Sequence, residues 1–359
     1  MLRSLVLAFG LSAAALSLAS CKSAQVANCT TLCRAQFWED ATLQTVKAEL
    51  ENGASAVASN DFGETPLHDA VYHTDSLSIV EYLLDHGANP NAQNILGATP
   101  VFTAATSNPN PAVLRLLIDR GGEVQRPIKG NIRPIHLAAK ANENPQIISV
   151  LAEAGANLES RVENGWTPLF FAVTESSNPE VAKRLLDLGA SLTAQDDEYG
   201  TPLHAAAGGT LAPEMVALLI QYGADVHAAD DLGSTPMHWV YLRGVVDEVM
   251  REHGYDIGSD EETDEERRLN MEAAKSIIPM LKAAGAKINA RNDNGETPLH
   301  WAVTFSANSQ LIEAMLDNGA DPTIRDGEGR NAAELLIQHW PNFRSSNVYQ
   351  RMSDAAAGG

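Results

Sequence analysis

A 34-residue period runs through most of the 359-residue chain and restricts it to a repeat fold. Thr-Pro pairs mark the period, with Arg133-Pro134 in one place and a single longer step of 62 residues before the last: Thr65-Pro66, Thr99-Pro100, Thr167-Pro168, Thr201-Pro202, Thr235-Pro236 and Thr297-Pro298. Glycines keep the same register and the same break: Gly53, Gly87, Gly121, Gly155, Gly189, Gly223, Gly285 and Gly319. Two independent markers in one register indicate an array of like units.

Each unit has the pattern of two short helices. Proline is tolerated in the first turn of a helix, so Thr201-Pro202 predicts the start of the helix in TPLHAAA. A second apolar run such as PEVAKRLLDLGA ends at a glycine, the residue that commonly follows a helix. One helix pair cannot bury its own apolar face, and therefore neighbouring pairs must stack into a solenoid.

The unit motifs resemble those of the ankyrin repeat family. The runs TPLHDA, TPLHAA and TPLHWA, followed by ends such as HGANPNAQN and YGADVHAAD, carry the resemblance over roughly residues 30 to 340. Val101-Phe102 and Arg133-Pro134-Ile135 depart from the motif but keep its apolar pattern. The resemblance implies an all-α solenoid of helix pairs with β-turn connections, non-enzymatic protein binding, and a concave face lined by the first helices.

The period and its ends predict the domain organisation. About seven full repeats, at 62–326, lie between two caps. The remaining segments are a lipoprotein signal peptide at 1–20, a lipidated cysteine and tether at 21–29, an N-terminal capping unit at 30–61, a C-terminal capping helix at 327–342 and a flexible tail at 343–359.

The N-terminal segment has the layout of a secretory signal. Leu18 to Cys21 resembles the lipobox of bacterial lipoproteins, which implies lipid attachment at Cys21. An uncleaved anchor and an ordinary signal peptide are the alternatives. Residue 22 is a lysine and not the aspartate that marks retention in the inner membrane in some bacterial lipoproteins. This favours the outer membrane facing the periplasm over the inner membrane. Cys29 and Cys33 are spaced for a disulfide across one helical turn, with two free thiols as the alternative.

Charge and motif content narrow the function. A net charge of −21 argues against nucleic acid and would attract a basic protein. Neither a catalytic motif nor a cofactor motif occurs in the sequence. Five histidines share one repeat position, but equivalent residues of stacked helices lie about 8–10 Å apart, too far to share a metal. The resemblance implies that each hydrogen-bonds within its own turn: His68, His136, His204, His238 and His300.

One repeat position varies widely and suggests a partner surface. Asp69 in GETPLHDAV becomes Trp301 in GETPLHWAV, and the equivalents elsewhere are Thr103, Leu137, Phe171, Ala205 and Trp239. Such a range of volumes is unlike core packing, so we predict that this position faces solvent or a partner. Phe170, at the histidine position, is predicted to be core. Packing between repeats is the alternative for the aromatic residues predicted to bind the partner: Trp166, Phe171, Tyr199, Trp239, Tyr241, Leu242, Trp301 and Phe305.

The 62-residue step contains an insertion at 244–271 in the sixth repeat. It carries ten acids and three bases, and its flanks predict a lengthened first helix and a lengthened second helix, with Pro279 kinking the second or resetting its start. An electrostatic arm for a basic partner and a solvated, tolerated insertion are the two main interpretations. A calcium site is a weak third, because the spacing of an EF-hand is absent.

The sequence thus predicts a monomeric, non-enzymatic scaffold that binds a protein partner through a concave aromatic and acidic groove and contacts the membrane through its lipid alone. An immunity or inhibitor protein that neutralises a basic toxin or an envelope hydrolase is the alternative. An envelope enzyme is a remote third class.

Overall fold

The computed structural model describes residues 31–176, 178–209, 213–240, 264–306 and 308–358. They fall into two compact units, the first up to Ser191 and the second from Leu192. The predicted signal peptide, Cys21, Cys29 and most of the acidic insertion lie outside the described residues. Within each unit the fold is a stack of helix pairs, and no strand occurs in the described ranges. The predicted all-α ankyrin solenoid is confirmed.

The first unit contains the N-terminal cap and four repeats. The cap has helices α1, Ala35–Trp38, and α2, Leu43–Glu51. Each repeat adds a first and a second helix, and the pairs in order are α3 and α4 (Pro66–His73, Leu77–Asp85), α5 and α6 (Pro100–Ser107, Pro111–Asp119), α7 and α8 (Pro134–Ala141, Pro145–Glu153), and α9 and α10 (Pro168–Thr174, Pro179–Asp187).

The second unit contains three repeats and a C-terminal pair. The repeats are α11 and α12 (Pro202–Gly209, Pro213–Gln221), α13 and α14 (Pro236–Trp239, Asp264–Ala283), and α15 and α16 (Pro298–Trp301, Ser309–Asp317). A π-helical turn, Ala302–Ser306, continues α15. The closing pair is α17, Ala332–His339, and α18, Asn347–Gly358.

The repeated histidine joins neighbouring repeats. In the first repeat, the His68 Nδ1 accepts a hydrogen bond from the backbone N–H of Thr65 at 3.1 Å. The opposite nitrogen, Nε2, lies 3.2 Å from the carbonyl oxygen of Ala98 in the next repeat. A carbonyl can only accept, so Nε2 carries the proton and the ring is neutral. The predicted bond within the turn is confirmed, and the second bond adds a link between repeats.

In the second and third repeats, two asparagines lie in the loop between the paired helices and connect it to the preceding repeat. Asn108 and Asn142 are buried, and the Nδ2 of Asn142 donates to the carbonyl oxygens of Ala105 and Asn108, both at 3.0 Å. Two residues later Asn144 caps α8 and donates to the carbonyl oxygen of Pro109 at 2.8 Å. The loops of the second and third repeats are therefore each hydrogen-bonded to the loop one repeat earlier, which gives these four asparagines a structural role.

The predicted flexible tail at 343–359 is wrong over most of its length. Residues Asn347–Gly358 form α18, which packs against α16 and α17. Val348 and Met352 are fully buried there, and Arg351 forms an ion pair with Asp317 at 2.7 Å. The cap is a helix pair rather than one helix, because the apolar face of α17 needs a covering helix as every repeat does.

The structure describes part of the N-terminal cap and part of the sixth repeat, for which the sequence also makes predictions. Cys33 is disulfide-bonded, while its pairing with Cys29 stays a prediction because Cys29 lies outside the described residues. Leu32 and Trp38 are buried in the N-terminal cap, where the indole N–H of Trp38 donates to the carbonyl oxygen of Leu32 at 3.0 Å. In the sixth repeat, α14 is lengthened as predicted and runs through Pro279.

Candidate partner-binding surface

The aromatic residues of the variable position pack between repeats. The indole of Trp301 lies edge-on to the imidazole of His238, with ring centroids 5.6 Å apart. Trp239 makes the same contact with His204 at 5.5 Å. In the first unit, Phe171 lies edge-on to His136 at 5.6 Å. Each aromatic ring thus packs on the histidine of the preceding repeat, and this histidine is the one that links the two repeats.

Carboxylates of the hairpin turns hold the two indoles in place. The Nε1 of Trp239 donates to Asp230 Oδ2 at 2.8 Å, and the Nε1 of Trp301 donates to Glu296 Oε2 at 2.9 Å. A buried indole N–H needs such a partner, since leaving it unpaired would cost free energy. These contacts give both tryptophans an internal packing role.

The predicted exposure of the variable position is therefore wrong for most of its members. Phe171 is 5% exposed and Trp301 is 8% exposed, while Trp239 is half-buried. Trp166 is also 8% exposed, because it stacks on Phe170 and meets Phe171 edge-on. The reason is that neighbouring repeats close over the position, and each repeat fills the resulting space with a side chain of different size. Phe170 is fully buried, as predicted.

Two of the predicted contact residues are exposed. Tyr199 is 57% exposed and Phe305 is 38% exposed, both in the second unit. Phe305 lies in the π-helical turn, with its ring edge-on to Trp301 at 5.8 Å. Tyr241 and Leu242 lie outside the described residues. The partner-binding role of all these residues stays a prediction.

Tyr199 occupies a backbone position that favours glycine. Its φ is +60°, and the equivalent residue is a glycine of positive φ in five repeats and in the C-terminal pair, namely Gly63, Gly97, Gly165, Gly233, Gly295 and Gly329. A side chain other than glycine costs about 1 kcal/mol in this conformation. Asn131, with φ of +61°, is the other exception. The two exceptions mark hairpins whose tips differ from the rest.

The hairpin tip around Tyr199 is strongly acidic. Asp196, Asp197 and Glu198 precede it, and the next tip contributes Asp230 and Asp231. The two tips are adjacent, because the backbone N–H of Asp231 donates to the carbonyl oxygen of Glu198 at 3.0 Å. Burial, reinforced by the neighbouring aspartates, raises the pKa of Glu198 to about 7. No lysine or arginine occurs anywhere from residue 185 to residue 242.

Asp69 has a different environment from its aromatic equivalents. It is 8% exposed, and its Oδ2 has no hydrogen-bond partner. Burial, with a smaller contribution from Glu64, raises the pKa of this carboxyl to about 7. Sequence reasoning placed this buried carboxyl at a surface, although an acid among mostly apolar equivalents was a signal that its environment differs.

Metal and membrane features are limited in the described part of the chain. No group of three or more histidine, cysteine or acidic side chains is placed to hold a metal ion there. None of the described helices is both long and apolar enough to cross a bilayer. Burial lowers the pKa of the repeated histidines, and that of His136 and His238 falls to about 4. They are neutral structural residues at physiological pH.

Stacked helix pairs joined by hairpin turns, with a capping Thr-Pro and an inter-repeat histidine, define an α-helical repeat protein of the interaction-scaffold class. Family models described as ankyrin repeats match residues 50–104, 101–196, 176–261 and 294–327. The chain therefore belongs to the ankyrin repeat family, whose members are generally non-enzymatic scaffolds that bind proteins.

Curated relatives share short stretches with this chain. The putative ankyrin repeat protein BB_B28 of Borreliella burgdorferi is 39% identical over 57 residues, which cover 16% of this chain and 14% of that protein. Human B-cell lymphoma 3 protein is 30% identical over 90 residues, or 25% of this chain and 19% of that protein. NF-kappa-B inhibitor alpha of Sus scrofa is 34% identical over 74 residues, covering 21% and 22%.

Two solved structures share the fold. The ankyrin repeat domain of Bcl-3 superimposes with a TM-score of 0.51 at 24% identity, covering 71% of this chain and 100% of that one. The human ASB11 ankyrin repeat domain gives 0.53 at 20% identity, covering 72% and 98%.

Proposed function

We propose that this scaffold binds a basic protein partner through the hairpin tips of its second unit, with Tyr199 at the centre. The observation that carries the proposal is an exposed aromatic ring kept at a glycine position, beside five acids of two adjacent hairpin tips. Aromatic residues are enriched among the side chains that dominate interface energies. Backbone strain that persists at an exposed residue is typical of functional sites.

Charge complementarity supports a basic partner. The acids at the first two tips of this unit have no lysine or arginine near them in sequence. Farther along the unit, the tip has a cation of its own, since Arg330 forms ion pairs with Asp326 at 2.9 Å and Glu328 at 2.7 Å. A complementary field accelerates association and selects among partners, more than it increases affinity. The acids around Tyr199 would therefore steer a lysine- or arginine-rich segment onto the ring.

A lipid anchor at Cys21 is the second part of the proposal. The lipobox-like run before Cys21 supports it, and the predicted tether at 21–29 would connect the lipid to the capping unit at 30–61. An extended tether of this length reaches about 30 Å. The outer membrane facing the periplasm is the proposed location, with the chain as a monomer.

A photo-crosslinker at position 199 tests the partner surface. Tyr199 is replaced by benzoylphenylalanine in the full chain, irradiated in the parent cells, and the adducts are identified by mass spectrometry. Tyr72 is equally exposed, at 57%, and lies in the first unit, so the same replacement there is the matched control. A basic protein captured at 199 and absent at 72 supports the proposal. The same adducts at both positions, or acidic partners alone, contradict it.

The crosslinked partner also separates a scaffold from an inhibitor. One relative carries inhibition of another protein in its name, NF-kappa-B inhibitor alpha, which gives the inhibitor alternative a precedent within the family. A single partner that becomes toxic when this chain is deleted favours the inhibitor. Several partners bound weakly and released by salt favour the scaffold. Palmitate labelling that is lost in Cys21→Ser tests the anchor separately.

A further inference from the structure

The first unit has a polar cavity of about 460 Å³ between its third and fourth hairpins. The lining includes two arginines, Arg133 and Arg161, three amide side chains and one acid, Glu159. The net charge of this lining is +1, in a chain whose total is −21. The volume falls within the range of sites that hold small molecules.

Two departures from the repeat pattern converge on this cavity. Arg133 replaces the threonine that begins the first helix in the other repeats, and Asn131 replaces the glycine of the hairpin. Both line the cavity. In the first repeat, the Thr65 hydroxyl lies 3.0 Å from the Nδ1 of its histidine, whereas the Nδ1 of His136 has only the backbone N–H of Arg133 as its partner. The third repeat thus gives up a hydroxyl contact and accepts a strained asparagine at this one place.

Hydrogen bonds to backbone carbonyl oxygens hold three of the cavity side chains in place. The Nδ2 of Asn131 donates to the carbonyl oxygen of Arg161 at 2.6 Å, which links the two hairpins. The Nε2 of Gln125 donates to the carbonyl oxygen of Gly155 at 2.6 Å. Arg133 donates from Nη1 to the carbonyl oxygen of Asn131 at 3.3 Å, a long bond that uses one of five guanidinium N–H groups. The remaining donors of Arg133 are available to an anion.

We infer that this cavity binds a carboxylate group, with Arg133 as its main contact. A guanidinium fork matches the two oxygens of a carboxylate. A single negative charge neutralises the +1 lining, whereas the doubly charged form of phosphate would leave the cavity with an excess negative charge. The carboxylate comes either from a small free acid or from an acidic side chain of a protein. This site lies in the first unit and is independent of the proposed partner surface around Tyr199.

Binding is measured on the full chain by amide and arginine side-chain NMR during titration with sodium acetate. Sodium chloride at the same ionic strength and pH gives the non-specific effect. A capped tripeptide with one central glutamate forms the second arm, and inorganic phosphate the third. We expect saturable shifts confined to the cavity residues with acetate or with the peptide, and the arm that binds more tightly identifies the source.

Arg133→Thr is the decisive variant, because it restores the residue found in the other repeats and should fold at least as well as the parent. We expect it to weaken carboxylate binding at least about tenfold. Arg115→Thr removes the same charge from the exposed ion pair with Glu153 in the same unit, and should leave binding within about twofold. Equal binding by both variants, shifts reproduced by chloride, or tighter binding of phosphate than of either carboxylate would overturn the inference.

Discussion

The carboxamide of Asn142 donates a hydrogen bond to the carbonyl oxygen of Asn108, its equivalent one repeat earlier, at 3.0 Å. Asn108 does the same one repeat further back, with Nδ2 donating to the carbonyl oxygen of Thr74 at 2.9 Å. The two buried asparagines therefore form a ladder that fixes the loops of three successive repeats. The ladder needs its asparagines spaced by one period, so the loop length and the stack are coupled.

Asn142→Ala should destabilise the first unit. The change removes two buried hydrogen bonds and leaves the carbonyl oxygens of Ala105 and Asn108 without this donor, at a cost of about 2–4 kcal/mol in the free energy of unfolding. Asn144→Ala is the control, because its bonds are exposed and its loss is mainly that of a helix cap, about 1 kcal/mol. Urea unfolding followed by circular dichroism measures both. Equal costs would mean that burial of the ladder contributes nothing.

The main effect of Trp301→Ala should be on stability, as a lower free energy of unfolding of the second unit. Truncating a buried aromatic costs about 3–5 kcal/mol, and the edge-on contact with His238 is lost with it. Trp301→Phe keeps a ring against His238 but removes the indole bond to Glu296, so about 1 kcal/mol is expected. Urea midpoints of the two variants decide the matter. A stable Trp301→Ala protein that no longer binds its partner would return Trp301 to the partner surface.

Asp69→Asn should stabilise the protein above neutral pH. The folded pKa of about 7 exceeds the ordinary 3.8, so the folded state holds the proton more tightly and loses stability as the pH rises from about 4 to 7. Asparagine mimics the neutral form, and at pH 8 the variant should gain up to about 4 kcal/mol. At pH 4 parent and variant should be nearly equal. An unchanged difference between pH 4 and pH 8, measured by urea unfolding, would show that Asp69 does not titrate in this range.

His136 should make the fold sensitive to acid. Its folded pKa of about 4 lies below the ordinary 6.5, because of burial, so the unfolded chain takes up a proton first as the pH falls. The contribution of this ring is complete above pH 6.5 and declines towards pH 4, by up to about 3 kcal/mol. NMR titration of the imidazole carbons gives the pKa directly, and an ordinary value near 6.5 would contradict the argument. His136→Gln should flatten the pH profile of the urea midpoint.

Met352→Ala should weaken the C-terminal cap. Met352 is fully buried in α18, and truncating a buried methionine costs about 2–5 kcal/mol. Gln350→Ala, in the same helix but exposed, should change the free energy of unfolding by less than about 0.5 kcal/mol. Hydrogen exchange localises the effect, which should appear in α16 and α17 as well as α18. Fast exchange throughout α18 of the parent protein would instead support the flexible tail.

The sequence was sufficient for the fold because the period states it directly. Thr-Pro, the histidine and the glycines each perform one local task, and a local task can be read from a short window. The surface was harder. Trp301 and Phe171 occupy a repeat position whose residue type varies along the sequence. Their burial depends on how closely the preceding repeat approaches, and a short stretch of sequence does not reveal that distance. The prediction for the tail was wrong for a similar reason. Apolar residues such as Val348 and Met352 are sparse in its sequence, and only the folded chain shows that they pack against α17. Arg133 and Asn131 were visible as departures, yet only the folded hairpins bring them to one cavity.

The link from His238 to the carbonyl oxygen of Glu296 has a consequence for the order of folding. This bond spans 58 residues, whereas the corresponding bond from His68 to Ala98 spans 30, and the difference of 28 is the insertion. Closing the longer loop adds only about 0.6 kcal/mol to the equilibrium. Rates are more sensitive, because folding slows as contacting residues become more distant along the chain. We therefore expect the parts of the chain on either side of the insertion to fold first and to pack against each other last. Newly made chains should pause before the hydrogen bond from His238 to Glu296 forms.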